Sequence, residues 1–291
     1  MKMSTRIAII ESHVVDGNVG NRAAQPVLEL LGFDVLVIPT VLYTCRVGAP
    51  GFAGQETSPE LLKDLTGYLT KCDLQATVIG YLGGASGAGV VLDTLGKLSC
   101  PLVVDPVMGD YPGGLYVPRG VTDKIIHELI PLAKVVTPNK FEAELISDIS
   151  ISCDSDAIAA AKKIASLGPE IVVITSCHQD STWAVNYVYS RDRGELQKFP
   201  YIESTRTIYG TGDMFTALLT GLLLKDVDVF LASAVAAALV SEALKFSIKT
   251  NRDTVQPVLA LNKFRSYLQT GQYQAIMKST NCIRRMISCE P

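Results

Sequence analysis

The sequence predicts a single α/β domain of three layers, a central, mostly parallel sheet between two layers of helices. Three observations predict it. Short β-branched apolar runs alternate with helical stretches along most of the chain, the pattern of a parallel sheet covered on both faces. The chain has 291 residues, within reach of one large domain, and 48% are hydrophobic, enough for a sizeable core. No fixed-period repeat, low-complexity segment or Pro- or Ser-rich linker divides it.

Taken in order, Arg6–Ile10 reads as a buried strand, because it is short and β-branched. Asn21–Leu31 reads as a helix ended by Gly32, and Val35–Ile38 as the second strand. Pro39–Thr57 has three glycines and no clean period, so it reads as a loop. Ser58-Pro59 opens a helix, with Ser as N-cap and Pro at the first helical position. Ala76–Gly80 is a third strand, Ser86–Ser99 a helix, and Leu102–Val104 a strand ending in Asp105. Val121–Leu129, Lys134–Thr137 and Phe141–Ile146 continue as helix, strand and helix. Ser155–Leu167 is an Ala-rich helix stopped by Gly168-Pro169, and Ile171–Thr175 is a strand. Ala184–Tyr189 alternates as an outer antiparallel strand should, with Glu195–Pro200 as its partner. Three helices close the chain, near Met214–Lys225, Val229–Phe246 and Gln256–Thr270. Residues 1–276 are thus expected to form the domain, and Met277–Pro291, without a period, either a frayed tail or a partner-binding extension, the frayed tail being favoured.

Composition excludes several classes of function. A net charge of −3 gives no electrostatic case for a nucleic-acid backbone or an anionic membrane. The apolar run near the N-terminus is too short for a secretory leader. Phe230–Phe246, broken by Glu242, reads as a core helix rather than a membrane span. Seven scattered cysteines, none spaced C-x-x-C, fit reduced thiols and a cytoplasmic location. Gly83–Gly89 looks like a nucleotide loop, but Leu92 stands where a third glycine belongs, and no Walker A sequence occurs. A nicotinamide dehydrogenase and a P-loop NTPase are both disfavoured.

Ligands of open α/β sheets sit beyond the carboxyl ends of the strands. The residues there are Glu11-Ser12-His13, Thr40, Tyr81, Asp105 through Asp110, Pro138-Asn139 and Thr175-Ser176. The same rim should hold Tyr209-Gly210-Thr211-Gly212-Asp213, a glycine turn that feeds an apolar helix. Such a turn aims free N–H groups and the positive end of a helix dipole at one point, which suits phosphate. Asp213 beside it is either the base that deprotonates an attacking hydroxyl or simply the helix N-cap. Asp105 and Asp110 flank a Pro- and Gly-bearing turn; they are either a paired carboxylate site for Mg²⁺ or turn-stabilising residues. Asn139 with Glu142 three residues later has capping-box spacing, and spacing alone favours that role. Ser12 could hold a polar ligand atom, and Tyr81 could stack on a ring.

Together these motifs resemble the pyridoxal kinases of the ribokinase-like superfamily. The resemblance covers nearly all of residues 6–247. It rests on Ser12-His13-Val14 with Gly20-Asn21-Arg22, Asp105-Pro106-Val107-Met108-Gly109-Asp110, Tyr116-Val117-Pro118, Thr137-Pro138-Asn139-Lys140-Phe141-Glu142, and Gly210-Thr211-Gly212-Asp213. It implies ATP-dependent phosphorylation of the 5′-hydroxymethyl group of pyridoxal, pyridoxine and pyridoxamine. It implies Asp213 as general base and Gly210, Thr211 and Gly212 as the anion hole. Asp105, Asp110 and Glu142 would surround Mg²⁺ and the ATP phosphates, with Asn139, Thr175 and Ser176 near the nucleotide. Ser12, Val19, Val41, Tyr43, Val47 and Tyr81 would hold the pyridine ring. A homodimer and activation by K⁺ are also implied.

One stretch departs from the family. A Phe-Ser-Asn-His-Thr-like run is usual after the second strand, and here Tyr43-Thr44-Cys45-Arg46-Val47 stands. Arg46 is therefore expected to place a charged donor near the ring. Two other readings share these motifs: a hydroxymethylpyrimidine kinase on the same fold, and a non-catalytic pyridoxal phosphate-binding protein.

Overall fold

The structure, a computed structural model, describes residues 5–288. The chain runs β1 (Arg6–Val14), α1 (Asn21–Leu30), β2 (Asp34–Tyr43), β3 (Gly54–Glu56), α2 (Pro59–Leu69), β4 (Ala76–Ile79), α3 (Ala85–Leu95) and β5 (Leu102–Val104). It continues with β6 (Gly109–Asp110), β7 (Gly114–Leu115), α4 (Arg119–Lys124), β8 (Val135–Val136), α5 (Lys140–Ser147), α6 (Asp154–Ala165) and β9 (Ile171–Gln179). Last come β10 (Trp183–Ser190), β11 (Arg193–Pro200), α7 (Thr211–Leu223), α8 (Val229–Lys249), α9 (Pro257–Lys263), α10 (Arg265–Thr270), α11 (Tyr273–Ser279) and β12 (Ile283–Ser288).

The main sheet has the order β12-β11-β10-β9-β8-β5-β4-β1-β2-β3. The block from β2 to β9 is parallel, and both margins are antiparallel. Strand β1 is buried on both faces. Ile7 and Ile9 enter one core with α1, α7 and α8, while Ala8 and Ile10 enter the other with α2 to α6. That is why the strand reads as an unbroken apolar run. The chain leaves β1 for β2 on one side and returns to β4 on the other, so a crevice opens at the carboxyl ends of β1 and β4. Helices α1 and α7 pack closely on the first core: a Cβ on Gly221 would lie 2.5 Å from Leu31 Cδ1 and 3.2 Å from Phe33 Cε2.

Three expectations are corrected. Pro39–Thr57 is not a loop: β2 runs on to Tyr43 and turns back as β3, pairing Val41 with Glu56 and Tyr43 with Gly54. Gln256–Thr270 is two helices, interrupted at Phe264. The segment 277–288 does not fray. The proposed boundary after residue 276 falls inside α11, and β12 pairs antiparallel with β11 from Arg193–Ser288 to Lys198–Ile283. Arg284 explains the anchoring, because its Nε and Nη2 donate to the buried carboxylate of Glu195 at 2.6 and 2.8 Å. Residues 289–291, with Cys289, lie outside the described residues. Helix α8 is long and apolar enough to cross a membrane, but 67% of that stretch is buried inside the protein, as in a core helix.

Candidate active site

The glycine turn is built by backbone demands. Gly210 has φ +85°, and a Cβ there would meet Asn18 O at 2.1 Å, so only glycine fits. Gly210 is the N-cap of α7 and supplies no side-chain cap, which leaves the first-turn N–H groups available to a ligand. Asp213 is therefore the third helical residue and not the N-cap. Its Oδ2 reaches off its own helix and accepts from Gly20 N at 2.8 Å, at the start of α1. Burial raises the Asp213 pKa, and the Gly20 amide partly offsets that rise.

Glu11, expected at the rim but given no role there, lies at the centre. It ends the apolar run of β1 and is 2% exposed. The β1–β2 register shifts between Glu11 and His13, a local irregularity that re-aims side chains at the rim. Its carboxyl packs under Gly80, where a Cβ would lie 2.4 Å from Oε2. Among the described residues its Oε1 has no hydrogen-bond donor. The Asp213 carboxyl faces it, so the two bond only when one carries a proton. Burial first, then the charges of Asp213 and Asp105, push the Glu11 pKa well above the carboxylate range. An acid closing an otherwise apolar strand was the signal available in the sequence.

Asp105 follows β5 and is buried. Gly212 stands over it, since a Cβ there would lie 3.0 Å from Asp105 Oδ2. Thr216 on α7 donates weakly to the same oxygen at 3.4 Å and pairs with Thr137 Oγ1 at 2.7 Å. Burial, with Glu142 and Asp213 nearby, raises the Asp105 pKa well above its usual value. Asp105 and Asp213 thus flank one glycine of the turn.

The other acids are occupied. Asn139 and Glu142 form the capping box of α5 that their spacing predicted. Glu142 Oε1 accepts from Met108 N at 2.8 Å, and Oε2 from Asn139 N at 3.0 Å. Burial lifts its pKa to about 7 against the pull of those amides. Asn139 Nδ2 donates to Gly109 O at 2.8 Å, tying α5 to the β6–β7 hairpin. Asp110, on that hairpin, is hydrogen-bonded by the Tyr116 phenol, whose pKa rises through burial and that contact. Among the described residues, no three His, Cys, Asp or Glu side chains converge on a metal-sized point. The expected carboxylate set Asp105, Asp110 and Glu142 is therefore not preassembled, because Glu142 is spent on backbone amides and Asp110 on a phenol.

Thr175 and Ser176 lie inside β9, which runs on to Gln179 instead of ending at Thr175, with Thr175 half-buried and Ser176 exposed. Thr175 bridges Asn139 in parallel, and Ser176, at φ +48°, gives its N–H to Asn186 Oδ1 at 2.9 Å.

The ring-side residues divide. Ser12 packs on Gly20, whose Cβ would lie 2.3 Å from Ser12 Oγ, so Ser12 adjoins the Gly20–Asp213 contact. Val19 immediately precedes Gly20 and is half-buried. Tyr43 and Tyr81 hydrogen-bond through their phenols, and burial lifts the Tyr81 pKa to about 12. Val41 is fully buried beneath Gly83 and presents no free surface. Val47 stands 61% exposed on the hairpin tip. Arg46 does not offer a free charge to a ring, since Asp253 and Tyr209 hold it.

Comparison with known proteins gives the family. The family model described as phosphomethylpyrimidine kinase matches residues 51–258. A pyridoxal kinase of Arabidopsis thaliana is 35% identical over 227 residues, 74% of this chain and 73% of its own. The chain belongs to the pyridoxal kinase family. The pyridoxal kinase of Homo sapiens is 32% identical over 248 residues, covering 75% of this chain and 77% of its own. Among solved structures of the family, the Leishmania donovani pyridoxal kinase in complex with ADP and pyridoxine superposes with a TM-score of 0.80. It is 28% identical and covers 91% of this chain and 95% of its own.

Proposed function

We propose that this chain transfers the γ-phosphoryl group of ATP to the 5′-hydroxymethyl group of pyridoxal, pyridoxine and pyridoxamine. The observation that carries the reading is the direction of Asp213. Its carboxylate leaves its own helix, takes the Gly20 amide at 2.8 Å, and stands beside the uncapped first turn of α7.

The chemistry follows from that placement. The 5′-hydroxymethyl oxygen gives its proton to the Asp213 carboxylate as it bonds to the γ-phosphorus. The bond from that phosphorus to the β–γ bridging oxygen breaks, and ADP leaves. Amides of Gly210, Thr211 and Gly212 receive the growing negative charge, in the way helix N-termini hold phosphate. Phosphoryl transfer asks for little more than such positioning and charge stabilisation. Ser12, Val19, Tyr43 and Tyr81 orient the ring, with Val41 and Val47 shaping the hairpin that carries Tyr43. Thr175, Ser176 and Asn139 border the nucleotide. Asp105 is the acid suited to Mg²⁺: it is a hard oxygen donor held, among the described residues, only by the Thr216 hydroxyl and the Val107 amide, and that ion takes few carboxylates alongside phosphate and water. Bound there, the ion would neutralise charge on the phosphate chain. Asp110 and Glu142 would serve such an ion from further out. K⁺ activation, a homodimer and a cytoplasmic location complete the proposal.

An ATP-to-ADP assay across the three vitamers and hydroxymethylpyrimidine tests it, run with and without Mg²⁺ and K⁺. Turnover with the vitamers is expected. Turnover with the pyrimidine alone would assign the other kinase, and vitamer binding without turnover a non-catalytic role. Sedimentation tests the dimer.

A further inference from the structure

One side chain fastens the β2–β3 hairpin to the opposite wall of the site. Arg46, near the tip, donates to Asp253 Oδ2 from Nε at 3.1 Å and from Nη2 at 2.9 Å. Its guanidinium carbon lies 3.9 Å from the centroid of the Tyr209 ring. A planar fork can stack on a ring and bond a carboxylate together, which an ammonium cannot do in the same way. Tyr209 is the residue that enters the glycine turn. Its N donates to Asp253 O, and its O accepts from Val255 N, both at 2.9 Å. The same hairpin carries Tyr43, with Phe52 edge-on at 4.9 Å between centroids. Among the described residues, the other hydrogen bonds of residues 45–52 stay within the hairpin. Arg46 is thus its tie across to the segment that positions Asp213.

We propose that Arg46 is a positioning residue, a clasp that shuts the hairpin over the ring site and releases to admit the vitamer. The closed clasp holds the Tyr43 wall and the Tyr209–Asp213 segment in one register. The inference rests on the vitamer kinase reading above.

The first test is trypsin cleavage after Arg46 in the full chain, followed by fragment mass. A guanidinium held on Asp253 and Tyr209 is a poor substrate, so cleavage reports opening. Asp253→Ala is expected to speed that cut about tenfold over wild type, in the regime where cleavage tracks the open population. Saturating pyridoxal is expected to slow it in the wild type. Equal rates in the two proteins, or no protection in a wild type that turns pyridoxal over, overturn the clasp. A wild type that turns over no vitamer defeats the functional reading, and the ligand-free cleavage comparison still judges the clasp.

The second test separates positioning from mere stability. Arg46→Ala is expected to raise KM for pyridoxal about tenfold and to leave KM for ATP within about twofold, with Tm nearly unchanged. Arg46→Lys should not rescue it, because the fork is lost. The double variant Arg46→Ala/Asp253→Ala should be no worse than Arg46→Ala, since both remove one contact. An unchanged KM for pyridoxal, additive effects, or both KM values rising together with a falling Tm would refute the proposal.

Discussion

The Gly20 amide donates to Asp213 Oδ2 at 2.8 Å across a sequence separation of 193 residues. The bond joins the N-cap of α1 to the third residue of α7, two helices packed on the same core. It fixes the carboxylate away from its own helix, with one oxygen spent on an amide and the group still beside the uncapped first turn of α7. A residue serving only as a helix cap would point the other way.

Removing that charge should stop chemistry while sparing nucleotide binding. Asp213→Asn keeps the shape and can still accept from Gly20. Its kcat is expected to fall by about 10²–10⁴, the usual contribution of a positioned base. Calorimetric affinity for ATP should stay within about threefold, the limit of a small electrostatic change. Near-normal turnover would take Asp213 out of the base role.

The pH profile should carry the mark of burial. The Asp213 pKa is raised by desolvation, so its carboxylate is lost as pH falls through a value above the ordinary range. The acid limb of kcat/KM should therefore sit higher than for an exposed Asp. Glu11, held protonated by burial and by the Asp213 charge, donates to the Asp213 carboxylate and lowers its pKa. Glu11→Ala removes that donor and should move the acid limb to higher pH, measured on the free enzyme. A limb that stays in place or moves down would mean that Glu11 does not support Asp213 as a carboxylate.

Gly210→Ala should damage both stability and turnover. The position has φ +85° and no room before Asn18 O. A strained non-glycine residue costs about 1–3 kcal/mol, and the clash adds to it. Denaturant midpoints and kcat should fall together, since Gly210 leads directly into the proposed anion site. A stable and active alanine variant would show that the turn can relax.

Arg284→Ala should separate stability from activity. It leaves the buried Glu195 carboxylate with the Gln197 amide in place of a full charge partner. Breaking a buried pair from one side costs about 3 kcal/mol or more. Chemical denaturation should show that loss, and KM values at low temperature should not change, because β12 is at the sheet margin remote from α7. An unaltered midpoint would mean that the strand is held by its ladder alone.

Much of this was legible in the sequence. Alternating apolar runs gave the parallel block, and Ser58-Pro59 and Asn139–Glu142 gave helix starts that the hydrogen bonds match. What failed was long-range. The β2–β3 hairpin hid in a stretch of glycines whose β3 residues are all exposed, so no burial period marked it. Strand β12 lacked a period because Arg284 is held by Glu195, a partner 89 residues away. Spacing revealed the Glu142 cap but not the Met108 amide that fills its other oxygen, so the resemblance alone put it near a metal. Arg46 looked like a donor to a ligand because Asp253 is 207 residues distant. Each miss is a contact that only the tertiary fold creates.

The close approach at Gly221 has a consequence for substitutions far from the rim. It lies eight residues, about 12 Å along the axis, from Asp213. The two helices touching there are the ones whose opposite ends carry Gly20 and Asp213. A methyl group added at that point would wedge them apart and lengthen the amide–carboxylate bond. Slow variants with intact pockets should therefore turn up among changes to the helix-facing surfaces of Leu31, Phe33 and Gly221, where no ligand ever reaches.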